Sequence, residues 1–195
     1  MIHLYFGDGK GKTTAAIGLA LRALGNGWRV FFVQFMKNAP AGEIASLEKM
    51  GVTILRGKAG NHFFSDMTED EKVRTRAISS ENLSRALSLC GEENCGAPSS
   101  CEETLSHTEQ PDAAGRAGQK TLLVLDEICA AYQYDLIDRA AVDFLVHNPP
   151  ARTELVLTGR NPPPVFLECA DYITEMKKIR HPYDTGIPAR SGVEF

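Results

Sequence analysis

The sequence lacks several features, and each absence narrows what the chain can do. It has no block of basic residues and a net charge of −4, so extended binding to nucleic acid is not expected. No apolar run is long enough to span a bilayer, and no signal peptide precedes the first predicted strand, so we expect a cytoplasmic protein without a membrane role. The length of 195 residues suits a single domain, 1–195, with a substantial core.

The cysteines do not indicate a disulfide framework. There are five cysteines, an odd number, in a chain expected to be intracellular. Cys90, Cys95, Cys101 and His107 leave a zinc site open as an alternative, although they lack the close C-x₂-C pairs of common structural sites. Free thiols in a polar loop are the other interpretation.

Residues 91–119 have almost no bulky apolar side chains. The segment is rich in Gly, Ser, Glu, Ala, Pro and Cys, so it cannot bury enough surface to order itself. We expect a polar, flexible surface insertion in the domain, and binding to a partner is the alternative.

Elsewhere, apolar runs alternate with helical patterns, which predicts an α/β fold with a mostly parallel six-stranded sheet covered by helices on both faces. The predicted strands are Ile2–Phe6, Trp28–Phe35, Val52–Arg56, Thr121–Asp126, Glu154–Thr158 and Tyr172–Met176. The predicted helices are Lys12–Gly25, Gly42–Met50, Glu69–Leu89, Leu136–His147 and Pro163–Ala170. Asp135 is the expected N-cap of the helix that begins at Leu136.

A glycine-rich loop between the first strand and the first helix predicts a phosphate site. Its residues are Gly7, Asp8, Gly9, Lys10, Gly11, Lys12, Thr13 and Thr14. Glycines let backbone N–H groups turn inward, the helix N-terminus adds positive charge, and the hydroxyl of Thr13 can bind Mg²⁺. A glycine-rich turn without a ligand is the alternative.

This loop is one residue shorter than the standard phosphate-binding pattern. G-x-x-x-x-G-K-[ST] requires glycine at position 6, where the chain has Phe6. A tighter loop would wrap the phosphate chain differently, so the reaction is not expected to be ordinary hydrolysis.

Polar residues at the ends of other strands complete the predicted site. Asp126 and Glu127 end an apolar strand and predict a Mg²⁺ site, with an acidic helix cap as the alternative. Gln34 and Arg160 end two further strands, and Arg160 could bind phosphate. For Arg22, on the first helix, spacing alone favours a surface role as much as a ligand role.

Two irregular segments are further candidates. Phe63 and Phe64 are adjacent aromatics in a polar connection, and either they serve a site or one ring fills the core. The tail, residues 180–195, either closes over a site or packs along the edge of the sheet.

Together these stretches resemble the ATP:corrinoid adenosyltransferases of the cob(I)yrinic acid a,c-diamide and cob(I)alamin type. The resemblance covers nearly the whole chain apart from residues 91–119. The matching stretches are GDGKGKTTAAIGLALRALGNG, VQFMK, LLVLDE, Tyr134-Asp135, LVLTGRNPP, ADYITEM, residues 181–186 and the ending ARSGVEF.

The resemblance implies that a Co(I) corrinoid attacks the 5′ carbon of ATP and releases triphosphate. The nucleotide would lie reversed, with its triphosphate on residues 7–14 and near Arg22 and Arg160, and with Mg²⁺ on Thr13 and Glu127. Co(I) is itself a very strong nucleophile, so no protein nucleophile is needed, and Lys12 would stabilise the leaving triphosphate. An electron-donating reductase or flavodoxin and a second copy of the chain, in a homodimer, are implied partners.

In the family, apolar side chains help displace the lower cobalt ligand before Co(II) is reduced. Phe63 or Phe64 falls in the corresponding loop, but some relatives carry a tryptophan near Ser65, so the displacing ring stays open. Two other functions stay open as well: a phosphate-loop ATPase or kinase, and a carrier that binds nucleotide and corrinoid without turnover.

Overall fold

Six parallel strands form the central sheet in the computed structural model, which describes residues 1–38, 41–91 and 118–193. The strands are β1 (Ile2–Phe6), β2 (Arg29–Gln34), β3 (Thr53–Arg56), β4 (Thr121–Asp126), β5 (Thr153–Gly159) and β6 (Tyr172–Glu175). They lie in the order β3-β2-β4-β5-β1-β6, and every neighbouring pair is parallel. The predicted α/β sheet is confirmed, and each predicted strand bound is within one residue of the observed one.

Helices cover both faces of this sheet. They are α1 (Lys12–Gly25), α2 (Gly42–Lys49), α3 (Glu69–Gly91), α4 (Ile128–Gln133), α5 (Arg139–His147) and α6 (Pro164–Cys169). On β4, Leu122 and Val124 join the core under α1 and α2, whereas Leu123 and Leu125 join the core under the other helices. Because both faces are buried, the strand is a continuous apolar run instead of an alternating one.

The connection from β4 to α5 differs from the prediction. α4 was not predicted, and α5 begins at Arg139, three residues after the expected start.

Asp135 is not the N-cap of this helix: its carboxylate pairs with Arg76 and Arg139 instead. The cap is Asp138, whose side chain accepts hydrogen bonds from the backbone of Ala140 and Ala141. Leu136 and Ile137 are apolar because they fill the core ahead of the helix.

Two predictions from the sequence concern residues that lie mostly outside the described ranges. The insertion predicted at 91–119 overlaps residues 92–117, and the possible zinc ligands Cys95, Cys101 and His107 lie in the same range. Cys90 is described, and burial raises the pKa of its thiol to about 11. Within the three described ranges, no helix combines the length and the apolar character needed to cross a bilayer.

Candidate functional site

All strands are parallel, so their carboxyl ends meet at one edge of the sheet. The register places Gln34 of β2 beside Asp126 of β4, and Phe6 of β1 beside Gly159 of β5. The glycine-rich loop starts immediately after Phe6. In open parallel sheets, ligands bind at this edge. The predicted phosphate loop and the predicted acidic pair both lie there.

The first half of the loop packs against the chain that leaves β6. Cβ atoms on Gly7 or Gly9 would lie only 2.5 Å from the carbonyl oxygen of Met176, so both positions require glycine. The N–H of Gly9 donates to that same oxygen at 2.6 Å. The carboxylate of Asp8 accepts from the N–H of Lys178 at 2.9 Å, and this hydrogen bond lowers its pKa. Gly7, Asp8 and Gly9 therefore hold the loop against the chain that follows β6.

The second half of the loop lines a cavity of about 580 Å³. The loop residues on its wall are Lys10, Gly11, Lys12, Thr13 and Thr14. Lys12 is 8% exposed, and its Nζ donates to the carbonyl oxygen of Gly9 at 2.8 Å. Burial lowers the pKa of Lys12, and the charge of Glu127 opposes that shift. The ammonium group is thus desolvated before a ligand arrives, which strengthens its interaction with a phosphate.

Asp126 organises the polar side chains beside this cavity. It is fully buried, and its Oδ1 accepts from the hydroxyls of Thr13 and Thr158, each at 2.8 Å. Its Oδ2 accepts from Gln34 Nε2 at 3.2 Å and from Lys37 Nζ at 3.5 Å. Since the Thr13 hydroxyl donates to Asp126, the lone pairs of its oxygen are left for a cation.

Glu127 stands beside Asp126 in a left-handed conformation with φ of 62°. Its backbone N–H donates to the hydroxyl of Thr158 at 2.9 Å, and this contact helps hold the turn. Burial, followed by the charge of Asp126, raises the pKa of Glu127, while the charges of Lys37, Lys12 and Arg160 oppose that shift.

These oxygen donors fit Mg²⁺. Two adjacent carboxylates, one with a raised pKa, form a place where a divalent cation would relieve repulsion. Mg²⁺ keeps several waters and needs only one or two protein ligands beside substrate phosphates. Among the described residues, no cluster of three or more His, Cys, Asp or Glu side chains is arranged to hold a metal ion.

A second, larger cavity of about 1050 Å³ adjoins the first. Phe63, Phe64, Tyr134 and Arg160 are on its wall. The rings of Phe64 and Tyr134 stack with centroids 3.9 Å apart, whereas Phe63 is 82% exposed. Neither phenylalanine is part of the buried core, so the alternative that one ring fills it is wrong.

Three side chains belong to both cavities: Lys37, Glu43 and Glu127. The two cavities are therefore neighbours: the glycine-rich loop lines the smaller one, and aromatic rings line the larger one.

The tail reaches the phosphate end of the site. Gly192 and Val193 line the smaller cavity, and Lys10 donates to the carbonyl oxygen of Val193. Lys178 holds the start of this segment through Asp184, at 3.0 Å. Residues 192 and 193 of the tail thus lie on the cavity wall, and closure of the tail over a site stays a prediction.

Arg22 is the predicted site residue that the chain does not bring to the loop. It lines a separate cavity of about 240 Å³ together with His3, Trp28 and Tyr172, toward the other end of α1. Ten residues separate it from Lys12, which is about 15 Å along a helix. A phosphate role for Arg22 stays a prediction from the resemblance.

Sequence reasoning assigned no role to Lys37, Glu43 or Tyr134. Lys37 follows β2, so a position just after a strand's carboxyl end was an available signal for it. Glu43 is on the first turn of α2 and Tyr134 ends α4, and only the packing of these helices brings them to the site.

Comparison with known proteins gives a consistent result over the whole chain. The family model described as ATP:corrinoid adenosyltransferase BtuR/CobO/CobP matches residues 1–195. A Corrinoid adenosyltransferase of Sinorhizobium sp is 34% identical over 197 residues, covering all of this chain and 80% of that protein. Proteins of the same name from Pseudomonas aeruginosa and Escherichia coli K12 are 30% and 29% identical, with 83% and 85% of their lengths covered.

Proposed function

The chain belongs to the ATP:corrinoid adenosyltransferase family and is a transferase, and from this premise we propose how its site is used. The protein transfers the 5′-deoxyadenosyl group of ATP to the cobalt of a reduced corrinoid and releases triphosphate. The corrinoid is cobalamin or cobyrinic acid a,c-diamide.

The observation that carries this proposal is the wall shared by the two cavities. The smaller one offers Lys12 and the N-terminus of α1 to a triphosphate, and the larger one offers aromatic rings to a flat macrocycle. They meet at Lys37, Glu43 and Glu127. With the triphosphate in the loop and the ribose directed toward this boundary, the 5′ carbon would face the macrocycle.

The proposed step is a nucleophilic displacement at that carbon. A cobalt–carbon bond forms with the electron pair of Co(I), and the carbon–oxygen bond to the triphosphate breaks, so the leaving group departs with that bond's electron pair. The enzyme's tasks are to align the reactants and to stabilise the charge that develops on the triphosphate. We assign the second task to Lys12 and the loop N–H groups after Gly9, which line the smaller cavity, and to Arg160 on the wall of the larger one.

We assign a Mg²⁺ ion to Thr13 and Glu127, with Asp126 orienting the Thr13 hydroxyl. When bound, the ion would neutralise charge on the phosphates. At the other end of the site, Phe63 and Phe64 are proposed to help displace the lower cobalt ligand. A reductase or flavodoxin as electron donor and a homodimer are further proposals that rest on the resemblance. We also propose a cytoplasmic location.

The test is to incubate the protein with ATP, Mg²⁺ and chemically reduced cobalamin and to identify the phosphorus products by ³¹P NMR. We expect triphosphate in amounts equal to the adenosylated corrinoid. ADP or orthophosphate as the first product would support an ATPase or kinase instead. Intact ATP in the presence of both bound ligands would support a carrier.

A further inference from the structure

Polar contacts anchor most of the segment that carries the two phenylalanines. We call residues 57–67, between β3 and α3, the aromatic loop. Its regular structure is one short 3₁₀ turn, Phe64–Asp66. Met67, at the end of the loop, is buried, whereas Phe63 is 82% exposed and Phe64 stacks on Tyr134 at the cavity wall. Apolar burial at Met67 therefore fixes the loop after the two rings, and polar contacts fix it before them.

Glu71, in the first turn of α3, supplies the central anchor. Its Oε2 accepts from the N–H of Thr68 at 2.9 Å and from the Thr68 hydroxyl at 3.2 Å. The N–H of Glu71 donates back to that hydroxyl at 3.2 Å, which completes a capping box. Its other oxygen, Oε1, accepts from His62 Nδ1 at 3.0 Å. One carboxylate thus joins the start of α3 to the residue before Phe63.

The backbone of the loop passes directly over the same carboxylate. Gly60 has φ of +66°, and a Cβ there would lie 2.0 Å from Glu71 Oε1. One turn further along α3, the buried hydroxyl of Thr75 accepts from the N–H of Ala59 at 3.0 Å. From the other side, Asn38 Nδ2 donates to the carbonyl oxygens of Lys58 and Gly60 at 2.6 and 2.9 Å. The loop is held at several points, with Glu71 at the end nearest the rings.

We propose that Glu71, acting through His62, is a positioning residue for the aromatic end of the site. The proposal rests on the proposed function, because it assumes that Phe63 and Phe64 act on a bound corrinoid. Glu71 lies outside both cavity walls and touches no substrate. Its effect is to hold the loop in advance, so that corrinoid binding does not have to order it.

Four variants separate the two contacts of Glu71. His62→Ala removes the contact with the loop and leaves the capping box. Thr68→Ala removes the hydroxyl of the capping box and leaves the contact with His62, so it is the matched control. Glu71→Gln keeps one carbonyl oxygen for His62 and tests for rescue relative to Glu71→Ala.

The kinetic readout is kcat and KM for each substrate, from Co(II) with a reductant and from pre-reduced Co(I). We expect His62→Ala and Glu71→Ala to lower kcat/KM for the corrinoid by about 10- to 100-fold, most strongly from Co(II), while KM for ATP stays unchanged. Thr68→Ala should lower Tm but leave the corrinoid constants within about twofold. Glu71→Gln should recover most of the loss.

Hydrogen exchange of the amides at 57–67 gives an independent readout without turnover. It should be faster in His62→Ala than in the wild type and in Thr68→Ala. If exchange and corrinoid constants in His62→Ala matched those of Thr68→Ala, the positioning role would be overturned. A wild-type protein inert toward Co(I) corrinoid would contradict the proposed function instead, and unchanged exchange in His62→Ala would still reject Glu71 as the anchor of the loop.

Discussion

At the scale of single residues, the site contains two ionisable groups, Lys12 and Glu127, whose charged forms are destabilised by burial when no ligand is bound. Burial lowers the pKa of Lys12 and raises that of Glu127. Both shifts mean that the folded protein disfavours the charged form of the group. A triphosphate with a divalent cation supplies the opposite charges, so ligand binding should stabilise the protein as well as start the reaction.

Lys12→Ala should remove most of the activity, because the leaving triphosphate loses its buried positive partner. We expect kcat/KM for ATP to fall by about 10²- to 10³-fold in a steady-state assay with Co(I) cobalamin. Lys49→Ala, at the exposed end of α2, is the matched control and should behave like the wild type. Near-normal turnover in Lys12→Ala would contradict the assigned phosphate site.

Glu127→Gln should stabilise the ligand-free protein while it abolishes Mg²⁺-dependent activity. A raised folded-state pKa means that ionising Glu127 costs stability, and the cost grows as pH rises from the unfolded pKa through the folded one. The variant should therefore have a higher Tm than the wild type at pH 7, with the gain vanishing at acidic pH. Each kcal/mol corresponds to about 2–4 °C in a chain of this size.

Calorimetry with and without Mg²⁺ and ATP checks this prediction. The two ligands together should raise the Tm of the wild type and have little effect on Glu127→Gln. Equal stabilisation of both proteins by Mg²⁺ with ATP would show that Glu127 does not hold the ion.

The two phenylalanines should differ in what they contribute. Phe63→Ala removes an exposed ring, so we expect Tm to stay unchanged. Relative to the wild type, the variant should lose more rate from Co(II) than from pre-reduced Co(I). Phe64→Ala also breaks the stack with Tyr134, so it should lower Tm as well. Parallel stopped-flow assays from the two cobalt states measure the difference, and equal slowing from both would remove the proposed role in ligand displacement.

At the scale of elements, the sequence predicts what depends on local chemistry. The strands and α1 were found because continuous apolar runs and a glycine-lysine-threonine turn are local signals. The start of α5 was missed because Asp135 and Asp138 are equally plausible caps in sequence. Asp135 instead uses its carboxylate for Arg76, 59 residues away, which no local pattern could reveal.

The close contact between the phosphate loop and the end of β6 gives a prediction at this scale. Gly9→Ala should push the loop away from Met176, because the new Cβ would lie 2.5 Å from a backbone oxygen. We expect loss of ATP binding by calorimetric titration and a lower Tm.

Gly18→Ala is the control for this prediction. Gly18 lies within α1 with open space around it, so alanine should raise stability by up to about 1 kcal/mol and leave ATP binding intact. If Gly9→Ala bound ATP as tightly as Gly18→Ala, the proposed support from β6 would be wrong.

At the scale of the whole molecule, the order of the strands in the sheet determines which residues meet at the site. The strand order, which the sequence left open, brings β2, β4, β5 and β1 side by side. Their carboxyl ends then place Gln34, Asp126 and the glycine-rich loop together. Packing of α2 and α4 adds Glu43 and Tyr134, and these contributions depend on tertiary contacts that composition and spacing do not encode.

Following the 5′ carbon of ATP is the most direct test of whether the adenosyl group is transferred to cobalt. ATP labelled with ¹³C at that carbon should be incubated with Mg²⁺, Co(I) cobalamin and either the wild type or Lys12→Ala, and the corrinoid then examined by ¹³C NMR. We expect a cobalt-bound labelled carbon in the wild-type reaction, formed in proportion to triphosphate, and almost none with Lys12→Ala. Label that stays in ADP or AMP while the corrinoid remains unlabelled would contradict transfer of the adenosyl group.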